Sequence, residues 1–155
     1  MKNPVAHLVI MLFFTQLMAG LIGYYTSPSG AHPHIMAWYE GLQKSSLTPP
    51  GFVFGLVWPV LYALMVVSAW LVWRKNGSLK LFWWQLALNF AWSFVFFVGQ
   101  YVGAAQILLL VILSLVAVMA RQFYRQQPWA GYLLLPYILW LCLASYLNGF
   151  ILLHN

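Results

Sequence analysis

Residues 81–120 read LFWWQLALNFAWSFVFFVGQYVGAAQILLLVILSLVAVMA, and none of these 40 side chains is charged. A helix needs about 20 residues to cross the roughly 30 Å hydrocarbon core of a bilayer, so this stretch is long enough for two spans. Gly99 and Gly103 allow a tight turn near its middle. The stretch therefore predicts two consecutive membrane helices that run in opposite directions.

The same composition extends along the whole chain of 155 residues. Its hydrophobic fraction is 64% and its charged fraction is 5%, whereas a soluble domain carries about 25% charged residues. Because unpaired backbone groups are too costly in lipid, the spans must be helices. We expect an all-α integral membrane protein with a single transmembrane domain over 1–155, built as a bundle of five transmembrane helices. The predicted spans are 5–25, 51–73, 80–98, 104–126 and 130–152.

The first span and the basic residues determine the predicted topology. Segment 5–25 exceeds the 7 to 15 apolar residues of a signal peptide, so we expect it to remain as a span.

The positive-inside rule places the more basic side of the bundle in the cytoplasm. The amino terminus then lies in the cytoplasm, and the loop 26–50 and the carboxyl terminus lie on the opposite side. The basic residues are Lys2, Arg74, Lys75, Lys80, Arg121 and Arg125 on one side, and Lys44 on the other.

The composition also excludes most kinds of catalytic site. Glu40 is the sole carboxylate side chain and Cys142 the sole thiol, so neither an acid pair nor a disulfide can form. His32 and His34 lack a third metal ligand and are expected to be solvated. We therefore predict no catalytic residue, no metal and no cofactor. The basic residues that give the net charge of +6 lie between apolar spans, where they set the orientation of the protein in the membrane. The charge therefore does not imply a nucleic-acid partner.

The loop 26–50 contains a helical pattern of its own. Ile35, Trp38, Tyr39 and Leu42 follow the spacing i, i+3, i+4, i+7, and Lys44 follows Glu40 at i+4 on the other face. Ten helical residues rise only about 15 Å, which is too short to span the bilayer. We predict a short amphipathic lid helix between helices 1 and 2 that covers the mouth of the bundle.

Polar and aromatic side chains repeat at helical spacing in three spans. Polar residues inside a span face protein or a cavity, so these repeats predict an aromatic-walled pocket under the lid, oriented by amides. Interhelical packing is the alternative, since amides often join helices. The repeats are Trp58, Pro59 and Tyr62 in span 2, Gln85, Asn89, Trp92, Ser93 and Phe96 in span 3, and Trp140, Ala144 and Asn148 in span 5. At the other end, Trp73, Trp83, Trp84 and Trp129 form an expected interface belt.

Four motifs within residues 38–148 carry a family resemblance. They are WYEGLQK at 38–44 followed by Thr48-Pro49-Pro50, WPVLY at 58–62, QLALNFAW at 85–92, and PYILW at 136–140 continuing through Ala144 to Leu147-Asn148. Their order and content resemble the translocator protein / tryptophan-rich sensory protein family. Two positions depart from the family pattern, because Ser45 replaces a Pro and Leu47 replaces a Trp. We expect a looser lid for this reason.

The resemblance implies both ligands and a site. Members of the family are commonly homodimers that bind protoporphyrin IX and haem-related tetrapyrroles, isoquinoline and benzodiazepine drugs and, in some cases, sterols. The segment 147–155 lacks the Tyr and the basic residue of the animal cholesterol motif, so sterol is disfavoured and a bacterial member is expected. The candidate ligand residues from spacing and resemblance together are Trp38, Tyr39, Pro49, Trp58, Tyr62, Asn89, Trp92, Phe96, Trp140, Ala144 and Asn148.

The expected function is that of a membrane receptor or sensor for porphyrins and hydrophobic drug-like ligands, linked to tetrapyrrole regulation or transport. Porphyrin propionates should stay near the outer surface, where Lys44 is the only permanent cation. Two alternatives stay open at this point. One is light-dependent porphyrin degradation, for which the pocket offers no general acid or base, and the other is a transporter or scaffold.

Overall fold

The computed structural model describes residues 3–29 and 31–155 and contains only helices and turns within these ranges. Lys2, which the topology prediction counts, and Gly30 lie outside the described residues. The helices are α1 (Pro4–Thr26), α2 (Pro33–Gly41), α3 (Gly51–Trp73), α4 (Lys80–Ser93), a π-helix (Phe94–Val98), α5 (Val102–Gln126), α6 (Pro128–Tyr132) and α7 (Leu135–His154).

Five of the helical stretches are long and apolar enough to cross a membrane. They are α1, α3, α4 with the π-helix, α5, and α6 with α7. The prediction of an all-α bundle with five spans is confirmed. α1 begins where Asn3 Oδ1 accepts hydrogen bonds from the backbone N–H groups of Val5 and Ala6, at 3.0 and 3.4 Å. This cap satisfies two of the donors that a helix leaves free at its first turn.

The turn between the π-helix and α5 differs from the predicted glycine turn. The residue with positive φ is Gln100, at 58°, and no described glycine has a positive φ. Gly99 is required there for space, since a Cβ at this position would lie 2.8 Å from Cδ2 of Tyr101 and 3.0 Å from the carbonyl oxygen of Val95. The chain can therefore fold back closely at this point only without a side chain.

The two ends of the bundle differ in charge. At one end Trp70 Nε1 donates to the Pro4 carbonyl at 2.8 Å, so the start of α1 lies beside the end of α3. At the other end Gln43 and Asn155 exchange two hydrogen bonds, which places the segment after α2 beside the end of α7. We call these the basic end and the lid end. Helix directions place Arg74, Lys75, Lys80, Arg121 and Arg125 at the basic end and Lys44 at the lid end.

The core of the bundle is built on one stripe of α5. Its buried residues Leu109, Ile112, Val116, Met119 and Phe123 are spaced alternately by three and four, which keeps them on one helix face. This stripe packs into a core formed with α3, α4 and α7. It fixes the frame on which the lid end of the bundle is built.

The lid helix is shorter than the sequence predicted. α2 ends at Gly41, so Leu42 and Lys44 lie beyond it. Glu40 and Lys44 therefore do not share a helix face as predicted. The Lys44 ammonium instead donates to the backbone carbonyls of Tyr39 at 2.5 Å, Leu42 at 3.3 Å and Glu40 at 3.4 Å. A helix leaves its last carbonyls unpaired, and here the lysine side chain caps them.

Candidate ligand-binding site

A cavity of about 920 Å³ lies beneath the lid, in the half of the bundle toward the lid end. Its volume falls in the range of 300 to 1,000 Å³ typical of small-molecule sites. Eight of the eleven predicted ligand residues line it, and so does Lys44. The eight are Tyr39, Pro49, Trp58, Tyr62, Asn89, Trp92, Trp140 and Ala144. The predicted faces of spans 2, 3 and 5 therefore converge on a single space.

The wall between α3 and α7 is aromatic. Trp58 stacks on Tyr62 with ring centroids 5.4 Å apart and meets Trp140 edge-on at 6.4 Å. Phe54, which the sequence did not single out, lies edge-on to Trp140 at 5.5 Å. These contacts have the stacked and edge-to-face geometries that aromatic pairs prefer. The wall thus presents large flat faces at fixed angles.

A buried chain of hydrogen bonds holds the polar part of the cavity in place. The Tyr62 hydroxyl donates to Asn89 Oδ1 at 2.7 Å, and Asn89 Nδ2 donates to the Tyr137 hydroxyl at 2.7 Å. Tyr137 donates in turn to Gln85 Oε1 at 3.1 Å. Gln85 and Tyr137 are fully buried behind the cavity wall, so Gln85 supports the site without lining it. The amide of Asn89 is therefore held from both sides by phenols.

Trp38 and Phe96 lie outside the cavity wall, contrary to the prediction. Trp38 packs edge-on against Phe96 at 5.4 Å, and Phe96 stacks on Trp92 at 5.1 Å. Phe97 lines the cavity instead. For Phe96 the cause is the π-helix, whose wider turn holds more residues than an α-helical turn and shifts the register of the side chains within and after it. Helical spacing extended from Asn89 could not reveal this shift.

Asn148 also lies away from the cavity. Its Nδ2 donates to Gln106 Oε1 at 2.8 Å and to the Val102 carbonyl at 3.1 Å, both on α5. Residues four apart on an α-helix are offset by about 40°, so Asn148 is rotated about 80° from Trp140. Trp140 and Ala144 face the cavity, whereas this rotation turns Asn148 toward α5. Its amide joins two helices.

The first helix supplies a wall that sequence reasoning missed. Gln16, Ala19, Gly20 and Gly23 line the cavity, and a Cβ added at either glycine would meet no atom within 4 Å. Their spacing is i, i+3, i+4, i+7, which marks one helix face. Two small residues four positions apart, such as Ala19 and Gly23, are also typical of a face on which two membrane helices pack closely. In this structure the small side chains leave room for the cavity.

The lid is fastened to α7 after its helix ends. Ser45 is buried, and its hydroxyl lies 3.2 Å from the hydroxyl of Tyr146. Leu47, at the other departure from the family pattern, is 61% exposed. Tyr39 is the aromatic residue that α2 turns toward the cavity, and burial raises the pKa of its phenol above the usual value. The phenol therefore remains a neutral hydrogen-bonding group at neutral pH.

Comparisons with known proteins give a consistent result. A sequence model described as the TspO/MBR family matches residues 8–153. The chain is 36% identical over 139 residues to the translocator protein of Homo sapiens, covering 84% of this chain and 82% of that one. It is 37% identical over 114 residues to the tryptophan-rich sensory protein of Cereibacter sphaeroides, covering 72% of each. It is 33% identical over 147 residues to the tryptophan-rich protein TspO of Bacillus cereus, covering 90% and 91%.

Proposed function

The chain belongs to the TspO/MBR family of multi-pass integral membrane proteins, and from this premise we propose that it is a membrane receptor for porphyrins. Protoporphyrin IX is the proposed ligand, with haem-related tetrapyrroles and flat isoquinoline or benzodiazepine drugs as further ligands of the same cavity. The observation that carries the proposal is the aromatic cavity beneath the lid. Names of relatives that refer to translocation and sensing suggest that binding serves tetrapyrrole transport or regulation.

The chemistry of the cavity suits a flat aromatic macrocycle. Such a ligand buries a large apolar area, and each aromatic contact adds about 0.5 to 1.5 kcal/mol beyond that burial. Trp58 and Trp140 offer indole rings on the wall between α3 and α7, and Trp92 offers a third from α4. Tyr62 and Asn89 offer fixed polar atoms between them. A ligand with a broad ring system and few polar groups matches this arrangement.

Titration of the purified protein with protoporphyrin IX tests the proposal. We expect a saturable shift of the porphyrin Soret band at a stoichiometry of one ligand per cavity. Detergent micelles without protein provide the blank, because porphyrins partition into micelles. A shift that rises in proportion to porphyrin and matches the blank would show that the cavity does not bind it.

Replacement of Lys44 by glutamine tests how the ligand's propionates are held. Lys44 is the cation on the cavity wall, and a hydrogen bond to a charged group is worth about 1.5 to 3 kcal/mol, or at least about tenfold in affinity. We expect Lys44→Gln to weaken protoporphyrin IX by this amount and to leave its dimethyl ester, which lacks carboxylates, little changed. Added salt should reduce the difference. Equal losses for acid and ester would assign Lys44 only to capping the lid helix.

Alanine at Asn148 separates packing from ligand contact. This change removes the hydrogen bonds from α7 to Gln106 and Val102, and such bonds between membrane helices contribute about 0.6 kcal/mol on average. We expect a small loss of unfolding free energy and an unchanged affinity for protoporphyrin IX. Asn89→Ala, which removes an amide on the cavity wall, should weaken the ligand. A loss of affinity in Asn148→Ala as large as that in Asn89→Ala would place Asn148 in the site after all.

The orientation and assembly of the bundle are also proposals. The positive-inside rule places the basic end in the cytoplasm and the lid end on the opposite side. Family membership favours a homodimer, and the segment 147–155 without the animal cholesterol motif favours a bacterial origin and a minor role for sterols. Labelling of single cysteines introduced at the two ends of a Cys142→Ser variant, in intact cells, would test the orientation.

A further inference from the structure

A second concavity lies on the outer surface of the bundle, between α3 and α7. Its volume is about 600 Å³, and it is separate from the cavity beneath the lid. Leu56, Val60 and Leu64 form its α3 side, and Leu139 and Leu143 belong to its α7 side. Apart from the indole of Trp140, its lining side chains are aliphatic. We call it the α3–α7 groove.

The profile of the groove is concave. Leu139 and Val60 on its rim are 70% and 58% exposed, whereas Leu61 on its floor is 4% exposed. Leu56 and Leu64 are eight residues apart, so the groove runs about 12 Å along α3. This length is slightly less than one leaflet, which is half of a hydrocarbon core of about 30 Å. The groove therefore has the direction and length of a segment of one hydrocarbon chain.

The depth of the groove determines which molecules can reach it. Leu56 is five residues from the start of α3, or about 7.5 Å at 1.5 Å per residue. Pro136 is eight residues from the start of the span Pro128–His154, or about 12 Å. Both positions lie inside the hydrocarbon region, where lipid headgroups do not extend. Acyl chains are the molecules that surround the protein at this depth.

Trp140 belongs to both the groove and the cavity. Its ring contacts Phe54 and Trp58 on the cavity side, at 5.5 and 6.4 Å, and it also lines the groove. The indole is thus the partition between the lipid-facing surface and the cavity. Whatever fills the groove contributes dispersion contacts to the outer side of this ring.

We propose that the α3–α7 groove binds one acyl chain of a bilayer phospholipid, which packs against Trp140 from the side opposite to the cavity. The aliphatic lining offers no charge or hydrogen-bond partner that a polar ligand or a headgroup needs. A straight chain fits the orientation of the groove along the helices. The bound chain supports the indole in its position in the cavity wall.

Fluorescence quenching by brominated lipid tests this assignment. The purified protein is placed in sterol-free nanodiscs of phosphatidylcholine with bromine atoms midway along the chains, and in matched discs without bromine. The difference between the protein and its Trp140→Phe variant isolates the emission of Trp140. We expect Trp140 to lose most of its emission in the brominated discs. Equal Trp140 emission in both discs would overturn the proposal. The measurement uses no porphyrin, so its outcome is independent of the proposed receptor function.

A matched pair of substitutions then separates a bound chain from general contact with lipid. Val60 on the groove rim and Val118 on α5 are both valines that are 58% exposed. Val60→Phe should displace the chain and restore much of the Trp140 emission, whereas Val118→Phe should leave the quenching unchanged. Should Val60→Phe not fold, Leu139→Phe places a ring on the opposite rim. Identical quenching of Trp140 in a folded groove variant and in Val118→Phe would also overturn the proposal.

Discussion

Joint replacement of Trp58 and Trp140 by alanine should lower the affinity for protoporphyrin IX by about thirtyfold or more. Each ring supplies one aromatic contact to a flat ligand, and two such contacts at about 1 kcal/mol each correspond to this factor before any loss of buried area. The two side chains line the cavity from α3 and α7, and their rings meet edge-on with centroids 6.4 Å apart. The double variant therefore removes the largest aromatic surfaces that α3 and α7 present to the cavity.

A matched pair of tryptophans controls for this experiment. Trp84 and Trp129 are 66% and 69% exposed and do not line the cavity, so the Trp84→Ala, Trp129→Ala variant should keep the original affinity. Binding is followed by the Soret band, because tryptophan fluorescence changes in both variants. The variant with phenylalanine at 58 and 140 should retain part of the affinity. Undiminished affinity in the folded Trp58→Ala, Trp140→Ala protein would remove the cavity from the proposed function.

Substitution of Gly131 by alanine should destabilise the bundle although it adds only a single methyl group. A Cβ at this position would lie 2.5 Å from Cβ and 2.9 Å from Cα of Tyr124, and 3.0 Å from the carbonyl oxygen of Ala120. Two of these three atoms belong to the backbone of α5, so relief requires α6 to move away. Overpacking of this kind costs about 1 to 3 kcal/mol. The measurement is the free energy of unfolding in detergent.

Gly149 provides the control for Gly131. It lies within α7, and a Cβ there would meet its nearest atom, Gln106 Oε1, at 3.8 Å. Alanine is favoured over glycine in a helix by about 1 kcal/mol, so Gly149→Ala should be neutral or stabilising. Equal stability of the two variants would mean that α5 and α6 approach each other less closely than the structure shows.

The spans could be predicted from the sequence because their signal is distributed over many residues. Length and apolarity decide whether a segment crosses the bilayer, and a single residue such as Gln85 does not change the result. The convergence of Trp58, Asn89 and Trp140 was also predictable, since each lies within two turns of other polar or aromatic residues at helical spacing. A prediction from such short repeats holds even where the helix departs slightly from ideal geometry.

The remaining parts of the site depend on geometry that spacing does not encode. The π-helix has no marker in the letters FVFFV, yet it decides that Phe97 and not Phe96 reaches the cavity. Asn148 lies outside the cavity wall because an offset of about 40° accumulates with each step of four residues. Lys44 was expected to pair within a helix, and the earlier end of α2 directs its ammonium to backbone carbonyls.

The π-helix gives the span that contains it one residue more than a continuous α-helix would need. A turn closed by i to i+5 hydrogen bonds holds one residue more than an α-helical turn, as in the bond from the Gly99 N–H to the Phe94 carbonyl at 2.8 Å. Loss of Phe94 or Val95 would allow a continuous α-helix that is still long and apolar enough to cross the bilayer. Phe97 would then be the seventh residue after Asn89, which offsets it by only about 20°, so the same ring would still face the cavity. A one-codon deletion before Phe97 would therefore remove the π-helix while leaving both this ring and the hydropathy profile of the chain almost unchanged.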